Sequence, residues 1–598
     1  MHNENKVPLI RLAKRGMMEP WKAWCIRVGS ILVALLLGGL VMSIALPEGS
    51  NIFSAYGTII EGALGKKTAI RQTIKLAVPL LGTALAIAPC FKMRFWNIGA
   101  EGQITAGAMA ASYFALYCYD KMSSPVLLIV MGVSAALLGG IWEAWPKQPE
   151  NPALEGNTWA PDVIWNDVMR KWCMYLSVNG HEFRSVIVLL TADRLDGDWT
   201  YVGPVVYSGF NVDNVGRTDV PRVLGDEAAH GDLSRYASLK DTRINAIDAA
   251  PIRCNHGELW MSFGSWFGGI WMFKLDPKTG LRDYSVRYPL VKDSSDPYYG
   301  VKVAGGYWNS GEGSYFIREN GWWYLFMSYG WLGRTGGYQI RLFRSKSLLG
   351  PYVDQNGNPA ISYGEIPDNQ ERGTGIRLTS SVQWDGGPAE LADVEVSQGH
   401  NSAIRRSKDG RMFLVYHTRF AERFSEGDDE DYESHVRELL PTSDGWLVAA
   451  PYEYRGSVAV APTGIADITG DYNVVLHDQH TFFNGKQEDD GTYVGINRPT
   501  RYTFHEDGRI TRGEIVSFFD TPDANLPRST DGPITCGSWK PLSGAVNGFN
   551  CCASDAEIRL DDVTYIARFA TLPREIDGKP VMTFSAIGNN VCIWGSQS

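Results

Sequence analysis

Two carboxylates in this chain stand at the mouth of the same strand pattern. Asp248 lies in INAIDAAPIRCNHGELWMSFGSWFGGIWMF (244–273) and Glu312 in GGYWNSGEGSYFIRENGWWYLFMSYGW (305–331). In each, a turn leads into apolar alternation that ends in Ser-Phe-Gly or Ser-Tyr-Gly. Cleaving a glycosidic bond by inversion needs one carboxylic acid to protonate the leaving oxygen and one carboxylate to activate water, with environments that hold their pKa values apart. A carboxyl at the inner end of a strand, beside tryptophans able to stack on a sugar face, meets the geometric half of that demand. Taken singly, each residue reads as a turn residue, as Asp and Glu beside Gly or Pro commonly are. The repeated pattern favours a pair with one task, the hydrolysis of a sugar chain.

Such a pair needs a scaffold that brings strand ends together. Four hairpin-like units share one grammar: KWCMYLSV (171–178) with VIVLLTADRLDGDW (186–199), ELWMSFG (258–264) with GIWMFKLDPKTG (269–280), WWYLFMSYG (322–330) with YQIRLFRSKSLLGPY (338–352), and RMFLVYHTRF (411–420) with WLVAAPYEY (446–454). Aromatic alternation bounded by Gly, Asn and Asp turns, recurring in this way, predicts radial repetition as in a β-propeller, with a β-sandwich as the alternative. The abundance of Trp (20), Tyr (27) and Gly (64) also suits a mainly β protein. A formal net charge of -10 offers no electrostatic footprint for nucleic acid. The nine cysteines show no metal-ligand spacing, and Cys551 and Cys552 are adjacent, so neither zinc nor a disulfide framework is expected.

At 598 residues the chain is long enough for several domains, and its character breaks sharply near Pro146. Ile26–Pro47 is an apolar run long enough to cross a membrane as a helix, with a cleaved signal peptide as the competing reading. Leu76–Phe91, Ile98–Tyr117 and Val126–Trp142 are further candidate spans, the second of these weakened by Glu101 and Gln103. A bundle of three or four transmembrane helices is expected. Lys6, Arg11, Lys14, Arg15, Lys22 and Arg27 before the first span, and Lys92 and Arg94 after the second, place those flanks in the cytoplasm. The expectation is a multi-pass membrane protein whose later domains are cytoplasmic if the spans number four. The segment RFWNIGAEGQITAGAMAA (94–111) resembles the permease subunits of ABC importers for sugars and nucleosides, over roughly residues 20–142. Nothing after Trp142 resembles the later spans and coupling loop of such permeases, so an ATPase partner is not expected.

WAPDVIWN (159–166), AIDAAPI (246–252), GEGSYF (311–316) and SQGHNSAI (397–404), in that order, resemble glycoside hydrolase family 43, most closely its endo-arabinanases with an added C-terminal β-domain. The resemblance runs from about Thr158 to the C-terminus. It implies a five-bladed propeller, inverting hydrolysis of α-1,5-linked arabinan, an axial cation, usually calcium, and a β-barrel-like domain from about Ile465. The expected domains are 1–146, a truncated permease-like membrane domain; 147–464, the propeller; and 465–598, the C-terminal β-domain. Carried over by position, Glu312 matches the general acid, Asp248 the carboxylate that holds the acid's pKa and orients it, and His400 the histidine that ligates the cation. His417 in VYHTRF illustrates the ordinary packed histidine. Asp162 matches a recurring residue with a structural role. Trp159, Trp266, Phe267 and Trp308 are placed to stack on pentose rings or to serve as core.

One departure matters. The family's general base is an aspartate from the first blade, upstream of WAPD, and here that blade is missing. PKQPENPALEGN (146–157) and the last candidate span stand in its place. Glu143, Glu150 and Glu155 are the nearby upstream carboxylates, and a proline-rich linker is a poor scaffold for a group that must face Glu312 across the sugar. The expected outcome is an arabinan-degrading fold with an incomplete catalytic set. The rival readings are a membrane-tethered carbohydrate-binding protein and a remnant of a sugar transporter permease. Xylan is the alternative substrate. The acidic run SEGDDEDYE (425–433) lacks EF-hand spacing and reads as a solvated loop.

Overall fold

The computed structural model describes residues 157–598 apart from 180–183, 238–243, 255–256, 310, 365–372, 385–392, 425–429, 463, 490–491, 513–533, 544, 547–548 and 551–553, together with Gly65 and Lys66. The candidate spans, the permease-like segment, Glu143, Glu150, Glu155, Cys551 and Cys552 lie outside the described residues.

Four antiparallel sheets follow one another along the chain. The first holds β1 (Asn157–Asn166), β2 (Lys171–Asn179), β3 (Ser185–Ala192) and β4 (Thr200–Tyr207). The second holds β5 (Ala250–Arg253), β6 (Leu259–Ser265), β7 (Gly269–Leu275), β8 (Ser295–Asp296) and β9 (Gly300–Ala304). The third holds β10 (Glu312–Glu319), β11 (Trp322–Tyr329), β12 (Gln339–Ser345) and β13 (Ile376–Arg377), and the fourth β14 (Glu395–Arg405), β15 (Met412–Phe424), β16 (Glu430–Pro441) and β17 (Leu447–Ala449). Three of the four hairpin units legible in the sequence form as expected, β2 with β3, β6 with β7 and β11 with β12, whereas in the fourth β15 pairs with β16 and the expected partner β17 lies beyond it.

Turn chemistry sets the hairpin registers. Glu319 pairs with Trp322, leaving Asn320-Gly321 as a two-residue loop with φ of 48° and 75°. Asn and Gly tolerate the left-handed conformation that such a loop needs to match strand twist. The central strands are apolar on both faces: β3 is buried at every position, and β11 at all but its first. That is the pattern of a blade sandwiched between neighbours.

Buried clusters join successive sheets. Tyr175 and Leu189 of the first pack with Phe263 and Phe273 of the second. Ile270 and Met272 of the second pack with Leu325 and Phe343 of the third. Phe326 and Leu342 of the third pack with Leu414 and Leu439 of the fourth. Among the described residues no such cluster joins the fourth sheet back to the first. The arrangement is propeller-like, with four blades described and the expected first blade not among them.

The C-terminal part is a closed eight-stranded barrel, sealed where its first strand (Gly470–His477) pairs with its last (Val591–Gln597). Tyr472, Phe504, Phe569 and Phe584 fill its interior. Val475, Leu572, Ile587 and Trp594 join the core of the third and fourth sheets, and the Trp594 indole N–H donates to Ala449 O at 2.8 Å. The barrel is therefore docked on those blades.

The acidic run differs from its expectation. Residues 430–433 belong to β16, where Tyr432 lies opposite Arg419 and Glu433 opposite Thr418. The Arg423 guanidinium binds both Glu433 and Asp393, so the strand's negative charge has a cationic partner on its neighbour.

Candidate active site

Each blade sends its first strand to a common cavity of about 430 Å³, lined by Asp162, Asp248, Ser314, His400, Asn401 and His417 among others. A shared backbone device turns these side chains inward. Ala160, Asp248, Gly313 and His400 all have φ between 41° and 57°. The ladder slips between Trp159 and Asp162 in β1, between Glu312 and Tyr315 in β10, and on both sides of Gly399 in β14. A bulge adds a residue on one strand and re-aims its side chain. At Gly313 glycine is favoured on two counts, since a Cβ there would sit in a disfavoured φ and stand 3.3 Å from the His400 ring.

Glu312 opens β10, and both oxygens of its carboxyl are held. Oε1 accepts from the Tyr338 hydroxyl at 2.6 Å and Oε2 from the Trp266 indole N–H at 3.0 Å. Burial, and after it the negative charge of Asp248, pushes its pKa up to about 7, against His400 and the two hydrogen bonds. Asp248 is buried, and its Oδ2 accepts from the Gly313 amide at 3.1 Å, while its own amide donates to Ser177 Oγ at 3.0 Å. Burial raises its carboxyl to about 7, with the Gly313 bond opposing. The two sequence-predicted carboxylates are thus brought together by the turn ahead of β5 and the start of β10.

His400 takes its place through its amide, which donates to Ser328 Oγ at 2.7 Å, and burial holds its pKa below the usual histidine value. The His417 ring stands 6.4 Å from it, near-parallel at 24°, and stacks on Tyr338 at 5.6 Å. Burial, then His400, lowers His417 to about 3. His417, the example of an ordinary packed histidine, therefore lines the cavity, brought there by the pairing of Gly399 with His417 across β14 and β15. Tyr338 was not foreseen from the sequence. It lies 26 residues beyond its partner Glu312, with no motif to mark it.

Asp162 stands two residues past the left-handed Ala160, as Tyr315 stands two past Gly313, and burial, followed by the Asp162 charge, raises the Tyr315 hydroxyl. Burial lifts the Asp162 carboxyl to about 7 despite the Val163 amide at 2.7 Å. Asn401 is 4% exposed, and neither atom of its amide has a partner among the described residues.

The cavity's donors, two carboxyls, an amide and hydroxyls, with no Lys or Arg in its lining, suit a hard cation. Among the described residues no group of three His, Cys, Asp or Glu side chains is close enough to hold a metal unaided. A cation beside His400 would keep most of its waters.

The predicted aromatic residues divide. Trp266 lies against Glu312 and edge-on to Trp331 at 6.3 Å, and Trp331 is 64% exposed. Phe267 and Trp308 form a T-shaped pair at 4.3 Å, with Trp308 exposed. Trp159, at the start of the first blade, is also exposed.

Comparison with known proteins agrees with this geometry. Residues 205–379 match the family described as Glycosyl hydrolases family 43, and residues 451–595 match a C-terminal lipocalin-like domain. The chain is 32% identical over 363 residues to an extracellular endo-alpha-(1->5)-L-arabinanase of Thermotoga petrophila, covering 59% of this chain and 67% of that one. The crystal structure of an endo-1,5-alpha-L-arabinanase from the same organism superposes with a TM-score of 0.55 at 28% identity, covering 74% of this chain and 84% of that one. The chain spans about two thirds of the length of these curated relatives. A further, weaker similarity is to the glucose ABC transporter permease TsgB13 of Haloferax volcanii, 30% identical over 137 residues, covering 23% of this chain and 35% of that one. Four blades, a docked barrel and a neighbouring pair of carboxyls poised near neutrality agree with these matches, and the chain belongs to glycoside hydrolase family 43.

Proposed function

We propose that the propeller is an arabinan-directed, inverting glycoside hydrolase domain with Glu312 as its acid and Asp248 as the carboxylate that sets the acid's pKa, and that turnover is impaired for want of a general base. The observation that carries this reading is the clamp on Glu312. Tyr338 and Trp266 fix the carboxyl while burial and Asp248 keep it protonated to near neutral pH, as an acid that protonates a leaving oxygen must be. The carboxylates lining the cavity are Asp162 and Asp248. Asp248 is spent on Gly313 and Glu312. Asp162 accepts from the Val163 amide at 2.7 Å and matches a recurring residue of the family with a structural role. His400, with waters and the neighbouring Asn401, would hold a calcium ion, which would supply fixed positive charge. The endo-arabinanase relatives favour arabinan over xylan.

The similarity to permeases supports a multi-pass membrane segment over 1–146, followed by the propeller over 147–464 and the C-terminal domain over 465–598, with a cytoplasmic propeller if the spans number four. The experiment is release of reducing ends from linear arabinan by the detergent-solubilised full chain. A rate near background is expected, and robust turnover abolished by Glu312→Gln would overturn the impairment. A second reading, a membrane-tethered carbohydrate-binding protein, is favoured by the exposed Trp159, Trp308 and Trp331. It requires measurable oligosaccharide affinity without turnover, and a flat titration would exclude it.

A further inference from the structure

A second cavity, of about 590 Å³, lies where the fourth blade meets the barrel. Its volume falls in the range of small-molecule sites. Trp384 and Tyr452 form one wall, ring centroids 5.7 Å apart and tilted by 54°, and Tyr452 is fixed by a 2.8 Å hydrogen bond between its hydroxyl and Ser596 Oγ of the barrel. His435 lies on the floor, 3.1 Å from Glu395 and 3.3 Å from Glu433. Beneath it the buried Arg437 guanidinium binds Glu395 at 2.8 Å and the Tyr416 hydroxyl at 2.7 Å. From the barrel, Glu575 Oε1 accepts from the Glu453 amide at 2.6 Å. The floor is thus a rigid network that spans both domains.

The charges on the rim define the ligand. Arg423 bridges Glu433 and Asp393 and lies 3.6 Å from the Phe420 ring centroid. Arg455 pairs with Glu453 at 3.2 Å, and Arg574 with Asp577 at 2.6 Å. Each guanidinium at the rim already has its carboxylate. An anion would have to break such a pair, and a cation would have to displace a guanidinium. A neutral polyhydroxylated chain breaks neither: its hydroxyls bond to the outward edges of planar ion pairs, and its apolar ring face lies on Trp384.

We propose that this junction cavity is a second, non-catalytic binding site for a neutral oligosaccharide. Ser434 lines both cavities, and it sits opposite His417 in the pairing of β15 with β16. The two sites therefore adjoin along β15 and β16, and a polymer held at the first is kept beside the second. The proposal rests on the hydrolase reading only for the identity of the sugar, arabinan.

The test is calorimetric titration of linear α-1,5-arabinohexaose into the full chain carrying Glu312→Gln, which blocks turnover. Two binding events per chain are expected. Adding Trp384→Ala removes one of them, and adding Arg455→Ala, at an exposed position, weakens the same event at least fivefold. Adding Trp266→Ala removes the other. A single event that Trp384→Ala and Arg455→Ala leave unchanged would overturn the junction site. Binding that is sensitive to Trp384→Ala but indifferent to Trp266→Ala would instead sustain this site and count against the axial one, so the two readings fail separately.

Discussion

The Gly313 amide donates to Asp248 Oδ2 at 3.1 Å, so a carboxylate just ahead of β5 grips the backbone next to Glu312 in β10. The same contact brings the Asp248 charge close enough to raise the Glu312 carboxyl. Position and acidity are coupled through one hydrogen bond.

Replacing Asp248 by Asn keeps an acceptor for Gly313 and removes the charge. The Glu312 pKa, about 7 in the native chain, is expected to fall while staying above the ordinary glutamate value because burial persists. Carboxyl NMR of the full chain with ¹³C-labelled glutamate reads the change. An unmoved titration would mean that burial alone sets the acid.

The same substitution should alter the dependence of stability on pH. Asp248 has a folded pKa of about 7, raised from 3.8. A carboxyl raised in this way favours the folded state below its unfolded pKa, and that advantage is lost as pH climbs from about 4 to about 7. Asp248→Asn is therefore expected to be the more stable form at pH 8, by a few kcal/mol at most, with the difference shrinking toward pH 4. Thermal melts across that range check the sign.

His435 should act in the same direction, in a higher pH window, at the blade–barrel junction. Burial opposes its charge, but the hydrogen bond and charge of Glu395, aided by Glu453, outweigh it and lift the pKa to about 9. Its contribution to stability is complete below about 6.5 and is lost as pH rises through about 9. The melting temperatures of the native chain and His435→Gln are expected to converge between pH 6.5 and 10, and a constant gap would contradict the assignment.

Gly313→Ala forces a side chain into left-handed backbone, with φ of 56°, and against the His400 ring. A loss of about 1–3 kcal/mol is expected, along with displacement of His400. Chemical denaturation gives the first, and the histidine ring chemical shifts give the second.

The blades were legible because turn residues and aromatic alternation are local. Asn320-Gly321 marks its hairpin without reference to anything distant. Asp248 and Glu312 were legible from the pattern they share. Tyr338 was not, because its hydroxyl reaches Glu312 from the far side of a hairpin, where nothing in the local sequence separates it from any other buried tyrosine. Trp266 was read as a sugar platform, yet its indole N–H is a donor to the acid, a role set by orientation rather than residue type. His417 reads as a packed residue until β14 and β15 are paired, which places it beside His400. The junction cavity combines Trp384 with Glu575, residues that only docking of the barrel brings together.

The central claim of the proposal is that the acid half of the machinery is built while no general base faces it among the described residues. The most direct test is the rate of arabinan cleavage by the full chain with and without sodium azide, a small nucleophile able to attack from the vacant side. The account predicts a rate near background in buffer, a rise of at least tenfold with azide, and loss of that rise in Glu312→Gln. Fast cleavage in buffer alone, abolished by Glu312→Gln, would contradict it and mean that another group of this chain activates the water.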